Sequence, residues 1–189
     1  MDKLNIMVVG VGGQGTLLTS RIIGKTALLQ GFDVKLSEVH GMAQRGGSVV
    51  TFVRFGKKVN EPVVEEGEVD VLISFERLEA MRYAHFLKKD GKLIVNNTRI
   101  DPMTVVIGAS EYPENIIETL KKEHDLHVIN GGEIANALGN SKVLNSVVLG
   151  VAAKYIGFDK EIWLDVIEKT VPPKTIEINK RAFIEGYNS

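Results

Sequence analysis

A glycine-rich turn near the amino terminus is the feature that most constrains how this chain folds. An apolar run at residues 4–9 leads into Gly10-Val11-Gly12-Gly13-Gln14-Gly15, and apolar residues at helical spacing follow it. A strand, a glycine turn and a helix, in that order, are the context that a G-x-G-x-x-G motif requires. The first glycine of such a motif allows the tight turn, the second lets a ligand approach the backbone, and the third lets the helix pack closely on the strand. Here these positions are Gly10, Gly12 and Gly15.

The helix after this turn predicts a site for an anion. The first amide groups of a helix have no partner within it and carry partial positive charge, which suits a phosphate. Gly13 removes one more side chain from the turn, and Gln14 completes the candidate site. In dinucleotide-binding proteins an acidic residue roughly 20 residues further on binds the ribose, and Glu38 has about that position. Two alternatives stay open: the turn serves only to pack helix on sheet, and Glu38 is a solvated loop carboxylate.

A second polar, glycine-rich stretch, SEVHGMAQRGGS, occupies residues 37–48 after the second predicted strand. Open α/β sheets bind ligands at the carboxyl ends of their strands, so we expect this stretch to lie beside the glycine turn. Its candidate binding residues are Glu38, His40, Gln44, Arg45, Gly46, Gly47 and Ser48. Arg45 is the strongest candidate, because a guanidinium binds phosphate or carboxylate through two parallel hydrogen bonds. Alternatively, Arg45 pairs with a carboxylate of the protein and fixes the loop.

Strand-like and helix-like runs alternate along the first two thirds of the chain. Strands are predicted at residues 3–9, 33–36, 48–55, 69–75, 92–95, 104–107 and 126–129, and helices at 15–30, 76–88 and 113–123. Gly131-Gly132 marks a break, and three further helices are predicted at 144–155, from 159 to the Pro172-Pro173 pair, and at 177–187. This alternation predicts a doubly wound, Rossmann-like α/β fold with a mostly parallel sheet and extra C-terminal helices. Residues 1–189 are most simply one domain.

The composition excludes several classes of protein. The chain has no cysteine, which excludes disulfides, a thiolate nucleophile and a cysteine-ligated iron–sulfur cluster on this chain. The net charge of −1 predicts no broad surface for nucleic acid or membrane, and no apolar run reaches the length of about 18 residues that spans a bilayer. Without a signal-peptide pattern, the cytoplasm is the expected location. The four histidines lack further ligands at metal-binding spacing, so no metal site is predicted.

The two motifs together carry a resemblance to a known family. The turn VGGQG at residues 11–15, followed by SEVHGMAQRGGSV at 37–49, resembles the gamma-type domain of the 2-oxoacid:ferredoxin oxidoreductases, above all the small (beta) subunit of the indolepyruvate enzymes. The resemblance covers nearly the whole chain, including the order of its elements. It implies oxidative decarboxylation of an aryl 2-oxoacid, such as indolepyruvate, to an acyl-CoA, with electrons passed to ferredoxin.

The resemblance also implies a division of labour between chains. In this family thiamine diphosphate and iron–sulfur clusters do the chemistry, and the gamma-type domain contributes to assembly and to the coenzyme A side. Here Asp90-Gly91 and Asn96-Asn97 lie too close together for the family's thiamine diphosphate motif, so the asparagines are expected to cap a loop. We therefore expect no catalytic residue and no cofactor on this chain, thiamine diphosphate and clusters on a partner chain, coenzyme A as co-substrate, and ferredoxin reached through the complex.

Three other functions use a similar turn. A free-standing NAD(P)-dependent enzyme is favoured by the turn and by Glu38, if it reaches a ribose, although 189 residues leave little room for a substrate domain. An adenylating enzyme of the ubiquitin-activating type also has a G-x-G-G-x-G turn, but its acidic pair after the second strand and its cysteines are missing here. The third is a nucleotide-sensing or scaffolding module without enzymatic activity.

Overall fold

The computed structural model describes residues 3–40 and 46–189, and of His40 only the backbone. Its strands are β1 (Lys3–Val11), β2 (Asp33–His40), β3 (Ser48–Gly56), β4 (Val69–Ser74), β5 (Leu87–Asn96) and β6 (Asp125–Ile129). Its helices are α1 (Thr16–Leu29), α2 (Arg77–Tyr83), α3 (Met103–Val106), α4 (Ile116–Glu123), α5 (Gly131–Ala137), α6 (Leu144–Ile156), α7 (Lys160–Glu168) and α8 (Ile176–Asn188). Short 3₁₀ turns lie at Ala84–Phe86, Ser141–Val143 and Pro173–Thr175.

The strands form one six-stranded sheet in the order β2-β3-β1-β4-β5-β6. β1, β4, β5 and β6 pair in parallel, whereas β3 is antiparallel to both of its neighbours, β1 and β2. Five strands therefore run in one direction, which confirms the predicted mostly parallel α/β sheet. β3 is reversed because residues 41–47 are too few for the crossover of about a dozen residues that a parallel connection needs.

Helices cover both faces of the sheet, as a doubly wound fold requires. On one face α1 and the C-terminal helices bury the side chains of alternate strand residues such as Ile6, Val8 and Val53. On the other face α2 and α4 cover the intervening residues, among them Met7 and Phe52. The alternation follows from the period of two along a strand. In the described residues, 3–40 and 46–189, no helix is long and apolar enough to cross a membrane.

The C-terminal helices α6 and α8 cross at very short range. A Cβ atom built on Gly186 of α8 would lie 1.9 Å from the carbonyl oxygen of Val147, and one built on Gly150 of α6 would lie 2.1 Å from the carbonyl oxygen of Phe183. The two backbones therefore touch where each helix presents a glycine. The predicted buried face of the first C-terminal helix is confirmed, since Val147, Val148 and Val151 are fully buried there.

The predicted strand at residues 104–107 is wrong, because this segment forms the helix α3. The carbonyl of Pro102 accepts from the N–H groups of Val105 and Val106, at 2.9 and 3.1 Å, and so closes a helical turn. Residues 104–107 are all β-branched, and this composition suggested a strand. However, both edges of β5, the strand that precedes them, are already paired with β4 and β6.

Several other boundaries differ from the predictions. β2 continues beyond its predicted end at residue 36 to His40, because its backbone pairs with β3 along this whole length. The helix predicted at 76–88 ends at Tyr83, and β5 begins at Leu87, where it pairs with Val69. The helix α5 begins at the predicted break, since the N–H of Gly131 donates to the side-chain oxygen of Asn96 at 3.0 Å. A Cβ on Gly131 would lie 2.9 Å from that oxygen, so the glycine permits the bond.

Candidate functional site

The glycine turn joins the carboxyl end of β1 to the first turn of α1. Gly13 and Gly15 have φ angles of +101° and +87°, a region that favours glycine. A Cβ on Gly15 would lie 3.1 Å from the side chain of Asn145 on α6, and a Cβ on Gly10 would lie 3.0 Å from the Cβ of Phe75. Close packing at Gly10, and backbone conformation together with close packing at Gly15, therefore favour glycine at both positions. The motif predicted both glycines, but the close neighbour of Gly15 is α6 and not the predicted strand.

Gln14 ties the turn to the next strand of the sheet. Its side-chain oxygen accepts from the N–H of Val11 at 2.7 Å, and its Nε2 donates to the carbonyl of Phe75 at 3.0 Å, just after β4. Both ends of the amide are thus engaged within the protein. Gln14 shapes the turn, which gives it a structural role beside the binding role predicted from the sequence.

The amino terminus of α1 opens on a cavity of about 430 Å³. Residues that line it include Gly12, Gly13, Gly15, Thr16, Arg21 and Glu38. Among the described residues, no side chain caps this helix terminus, so its first amide groups stay available to a ligand. One carboxylate oxygen of Glu38, Oε2, is buried and has no hydrogen-bond partner in the described part of the chain. The cavity thus offers donors for an anionic group and an acceptor for a hydroxyl or amino group.

The second sequence motif, residues 37–48, covers the end of β2, the connection to β3 and the first residue of β3, and we call it the signature loop. Glu38 therefore lies in β2, paired with Thr51, and not in a loop. The carboxyl-terminal end of the signature loop lies against the glycine turn, because the N–H of Gly12 donates to the carbonyl of Gly47 at 2.8 Å. Val11 is paired with Ser48 in the sheet. The predicted proximity of loop and turn is confirmed for this end, where Gly46 has a φ of +78°. Gly41 to Arg45, with the candidates Gln44 and Arg45, and the side chain of His40 lie outside the described residues, so their binding roles stay predictions.

A buried carboxylate, which the sequence did not indicate, anchors the carboxyl-terminal end of the signature loop. Glu79 on α2 accepts a hydrogen bond of 2.5 Å from the Oγ of Ser48, and the hydroxyl of Tyr83 lies 3.2 Å from the same Oγ. Burial raises the pKa of the Glu79 carboxyl, while the bond from Ser48 and the charge of Arg82, at 3.4 Å, act in the opposite direction. Glu79 therefore fixes the start of β3, one residue after Gly47.

A second buried glutamate, Glu76, organises the carboxyl ends of β4 and β5. Its carboxylate accepts from the N–H of Glu79 at 2.9 Å, from the N–H of Ile100 at 3.2 Å, and from the hydroxyl of Tyr112 at 2.5 Å. Burial and the bond to Glu76 raise the pKa of the Tyr112 hydroxyl. Glu76 and Glu79 stand at the N-cap and third positions of α2, the spacing of a capping box. However, the N-cap residue is not serine or threonine, and the Glu79 carboxylate bonds Ser48 instead of the N-cap amide, so the sequence carried no capping-box signature that would have revealed the pair.

A cavity of about 1110 Å³ lies beside this network. Arg77 and Arg99 both line it; Arg99 pairs with Asp101 at 2.6 Å and lies 4.4 Å above the ring of Tyr112. The Nε of Arg77 is buried, and no described residue accepts a hydrogen bond from it. The sequence did not indicate this cavity, because its lining comes from segments that are far apart in the chain.

The asparagine pair has a structural role, although Asn96 caps the helix α5 and not a loop as predicted. Asn96 is fully buried, its amide donates to the carbonyl of Phe75 at 3.1 Å, and its oxygen caps Gly131. Asn97 donates to the side chain of Asn130 at 3.0 Å. Asp90 and Gly91 lie in the same strand, β5, as Asn96. Because the side chain of Asn96 is already engaged in these bonds, Asp90, Gly91 and the asparagine pair do not fit a thiamine diphosphate site.

The histidines described with their side chains are placed at separate points. His85 lies 3.5 Å from Glu66, and the Nδ1 of His127 lies 3.1 Å from the hydroxyl of Tyr155. Burial, followed by the charges of Lys154 and Lys92, lowers the pKa of His127. Across residues 3–40 and 46–189, no group of three or more acidic or histidine side chains could hold a metal ion.

Comparison with known proteins decides the family. Residues 5–189 match the model of the family described as pyruvate ferredoxin/flavodoxin oxidoreductase. The chain belongs to this family. The resemblance carried by the glycine turn and the signature loop is thereby confirmed.

Named relatives agree with this assignment along almost the full chain. It is 41% identical to the indolepyruvate oxidoreductase subunit IorB of Thermococcus kodakarensis, over 98% of this chain and 95% of the relative. It is 43% identical to the subunit of the same name from Archaeoglobus fulgidus, over 98% and 94%. The fold resembles that of the pyruvate oxidoreductase subunit PORC from Thermotoga maritima, with a TM-score of 0.75 at 24% identity, over 100% of this chain and 97% of the other.

Proposed function

We propose that this chain is the small subunit of a 2-oxoacid:ferredoxin oxidoreductase that acts on an aryl 2-oxoacid such as indolepyruvate. The observation that carries the proposal is the 41% and 43% identity to two indolepyruvate oxidoreductase subunits, along 98% of the chain. The enzyme oxidatively decarboxylates the 2-oxoacid, transfers the acyl group to coenzyme A, and passes the electrons to ferredoxin. We place the complex in the cytoplasm, together with the ferredoxin that accepts its electrons.

The catalytic cofactors belong to a partner chain in this proposal. The chain has no cysteine for iron–sulfur clusters, and Asn96 is engaged in structural hydrogen bonds. A larger subunit therefore carries thiamine diphosphate and the clusters. This chain supplies binding surface and takes part in assembly.

We assign the coenzyme A side to the glycine turn and the signature loop. The open amino terminus of α1 faces a cavity lined by Gly12 and Gly13, and free amide groups at a helix start suit the diphosphate of coenzyme A. Arg45 follows in the adjoining loop, next to two glycines. A guanidinium there adds a bidentate contact to phosphate.

Reconstitution tests the proposal directly. The chain is purified alone, the thiamine diphosphate and iron–sulfur subunit is purified alone, and the two are also co-expressed. We expect reduction of ferredoxin by indolepyruvate only with both chains and coenzyme A present, and faster than with pyruvate or 2-oxoglutarate. The isolated chain should show no visible absorbance. Turnover by the isolated chain, or no turnover by a stable pair of chains, would contradict the proposal.

A second candidate function is the binding of a dinucleotide such as NAD at the same turn, and Glu38 favours it. The unpartnered Oε2 of Glu38 suits the free hydroxyls of an NAD ribose, whereas the ribose of coenzyme A carries a phosphate that a carboxylate repels. Titration with NADH and with coenzyme A, monitored by the fluorescence of Trp163, separates the two candidates. Binding of NADH that weakens about tenfold in Glu38→Gln would favour the dinucleotide; binding of coenzyme A alone would favour the proposed subunit.

A further inference from the structure

The segment between β5 and α4 displays apolar side chains to the outside. Met103, Val106 and Ile107 are 70%, 67% and 67% exposed, and they fall within five residues of the chain. The remaining residues of α3 are exposed or half-buried, so the helix lies outside both hydrophobic cores. We call Met103, Val106 and Ile107 the apolar tip. Clustered exposed apolar residues of this kind mark interaction sites more often than scattered ones do.

The apolar tip is held in place by its own backbone. The N–H of Ile107 donates to the carbonyl of Met103 at 3.0 Å, and the N–H groups of Ala109 and Ser110 both donate to the carbonyl of Thr104, at 2.8 and 3.0 Å. These bonds close the segment on itself. A partner would therefore meet a surface that is already formed, which lowers the entropic cost of association.

Acidic side chains flank the apolar tip. Val105, which lies between tip residues in α3, lines the cavity of about 1110 Å³ together with Glu111, Glu114 and Glu118, so these carboxylates adjoin the helix of the tip. The three glutamates are exposed, and none of the ion pairs between described residues involves them. The cavity also contains Arg77 and Arg99, but Arg99 is paired with Asp101 and Arg77 is half-buried. The unpaired exposed charges at its mouth are therefore negative.

This surface lies at the same edge of the sheet as the candidate site. The glycine turn follows the carboxyl end of β1, and the apolar tip follows the carboxyl end of β5. Both strands are parallel to β4, which lies between them. A partner that completes the site at this edge is thus within reach of the tip.

We propose that the apolar tip and the three flanking glutamates form the docking surface for the catalytic subunit of the same enzyme. The proposal rests on the proposed function. It requires a partner that presents an apolar pocket rimmed by lysine or arginine. A second copy of this chain fits poorly, because a two-fold contact would bring the acidic side chains against one another.

Binding measurements with the purified catalytic subunit test this surface. The variant Met103→Ser/Val106→Ser/Ile107→Ser should raise the Kd for the catalytic subunit at least about tenfold, as loss of central apolar contacts does at other interfaces. The matched control is Leu28→Ser/Leu29→Ser, which changes two residues that are each 57% exposed. They lie at the carboxyl end of α1, away from the candidate site, and should change the Kd less than about twofold. The melting temperatures of the isolated variants verify that both remain folded.

The flanking charges give a second, independent measurement. Glu111→Gln/Glu114→Gln should raise the Kd and reduce its dependence on salt between about 0.05 and 0.5 M, because two screened attractions are removed. An unchanged Kd in both the tip and the charge variant would overturn the proposal, and so would equal weakening by the Leu28/Leu29 control. A wild-type dimer that the tip variant dissociates would assign the surface to a second copy instead, which also overturns it. Failure of the wild-type chain to bind any such subunit would contradict the proposed function itself, a different and distinguishable result.

Discussion

Replacement of Gly186 by alanine tests the backbone contact between α6 and α8. Two effects of opposite sign compete at this position. Alanine favours a helix over glycine by about 1 kcal/mol, which alone would stabilise the protein. However, the added Cβ would lie 1.9 Å from the carbonyl oxygen of Val147 and 2.8 Å from its carbonyl carbon.

The steric effect is the larger one. Ordinary van der Waals contact of a Cβ begins at 3.4 Å, so the helices would have to separate by about 1.5 Å. Both clashing atoms belong to backbone, which cannot change rotamer, and overpacking of a core costs about 1–3 kcal/mol or more. We take about 3 kcal/mol, since the shift would also loosen Phe183 and Val151, both fully buried at this crossing. The net loss is then about 2 kcal/mol or more, equivalent to about 4–8 °C in melting temperature for a chain of this size.

Gly24→Ala is the matched control, because it is the same substitution within another helix. A Cβ on Gly24 would lie 3.5 Å from Val34, an ordinary contact, so only the gain of about 0.5–1 kcal/mol from helix propensity remains. Urea unfolding is monitored through Trp163, the single tryptophan, which is buried between Phe158 and Phe183. We expect opposite changes in the free energy of unfolding for the two variants. Equal stability of Gly186→Ala and Gly24→Ala would refute the reasoning.

Three further predictions concern the candidate site and its support. In the reconstituted enzyme, Arg45→Ala should raise the KM for coenzyme A roughly 10- to 150-fold, because loss of a charged hydrogen bond costs about 1.5–3 kcal/mol. Arg45→Lys should recover only part of this effect. A lower melting temperature with unchanged KM and unchanged co-purification would show instead that Arg45 only anchors the loop. Because burial holds the pKa of Glu79 above its ordinary value, the free energy of unfolding should fall as the pH rises from the ordinary glutamate pKa through the raised one. Glu79→Gln should remove that fall in urea titrations between about pH 4 and 7, and identical pH profiles would contradict it. Gly131→Ala should cost about 1–2 kcal/mol in thermal unfolding, since its Cβ would lie 2.9 Å from the oxygen of Asn96 that caps α5; wild-type stability would contradict the close approach.

Local patterns in the sequence predicted the elements that local physics determines. The run into Gly10, the helix after Gly15 and the buried face of α6 all follow from apolar periodicity and glycine placement, and the structure confirms each of them. The signature loop was expected beside the glycine turn from the rule for strand ends, and the bond from Gly12 to Gly47 confirms its end.

Features that depend on distant residues could not be predicted in this way. α5 starts at two glycines because its cap, Asn96, comes from a strand 35 residues earlier in the chain. The hydrogen bond from Ser48 to Glu79 joins residues 31 positions apart, and the network around Tyr112 joins it to Glu76 over 36. In each case the partner becomes a neighbour only after the sheet has assembled.

The inserted strand β3 changes what the glycine turn can recognise. In a dinucleotide-binding fold the strand beside β1 brings the acidic residue to the ribose, but here β3 occupies that place and β2 lies one strand further out. Since neighbouring strands are about 4.8 Å apart, the backbone that carries Glu38 lies roughly 10 Å from β1, and only its side chain reaches the cavity at the turn. The backbone that adjoins the turn belongs instead to Gly47 and Ser48, at the end of the signature loop. The antiparallel strand therefore makes the end of the signature loop a direct neighbour of the glycine turn.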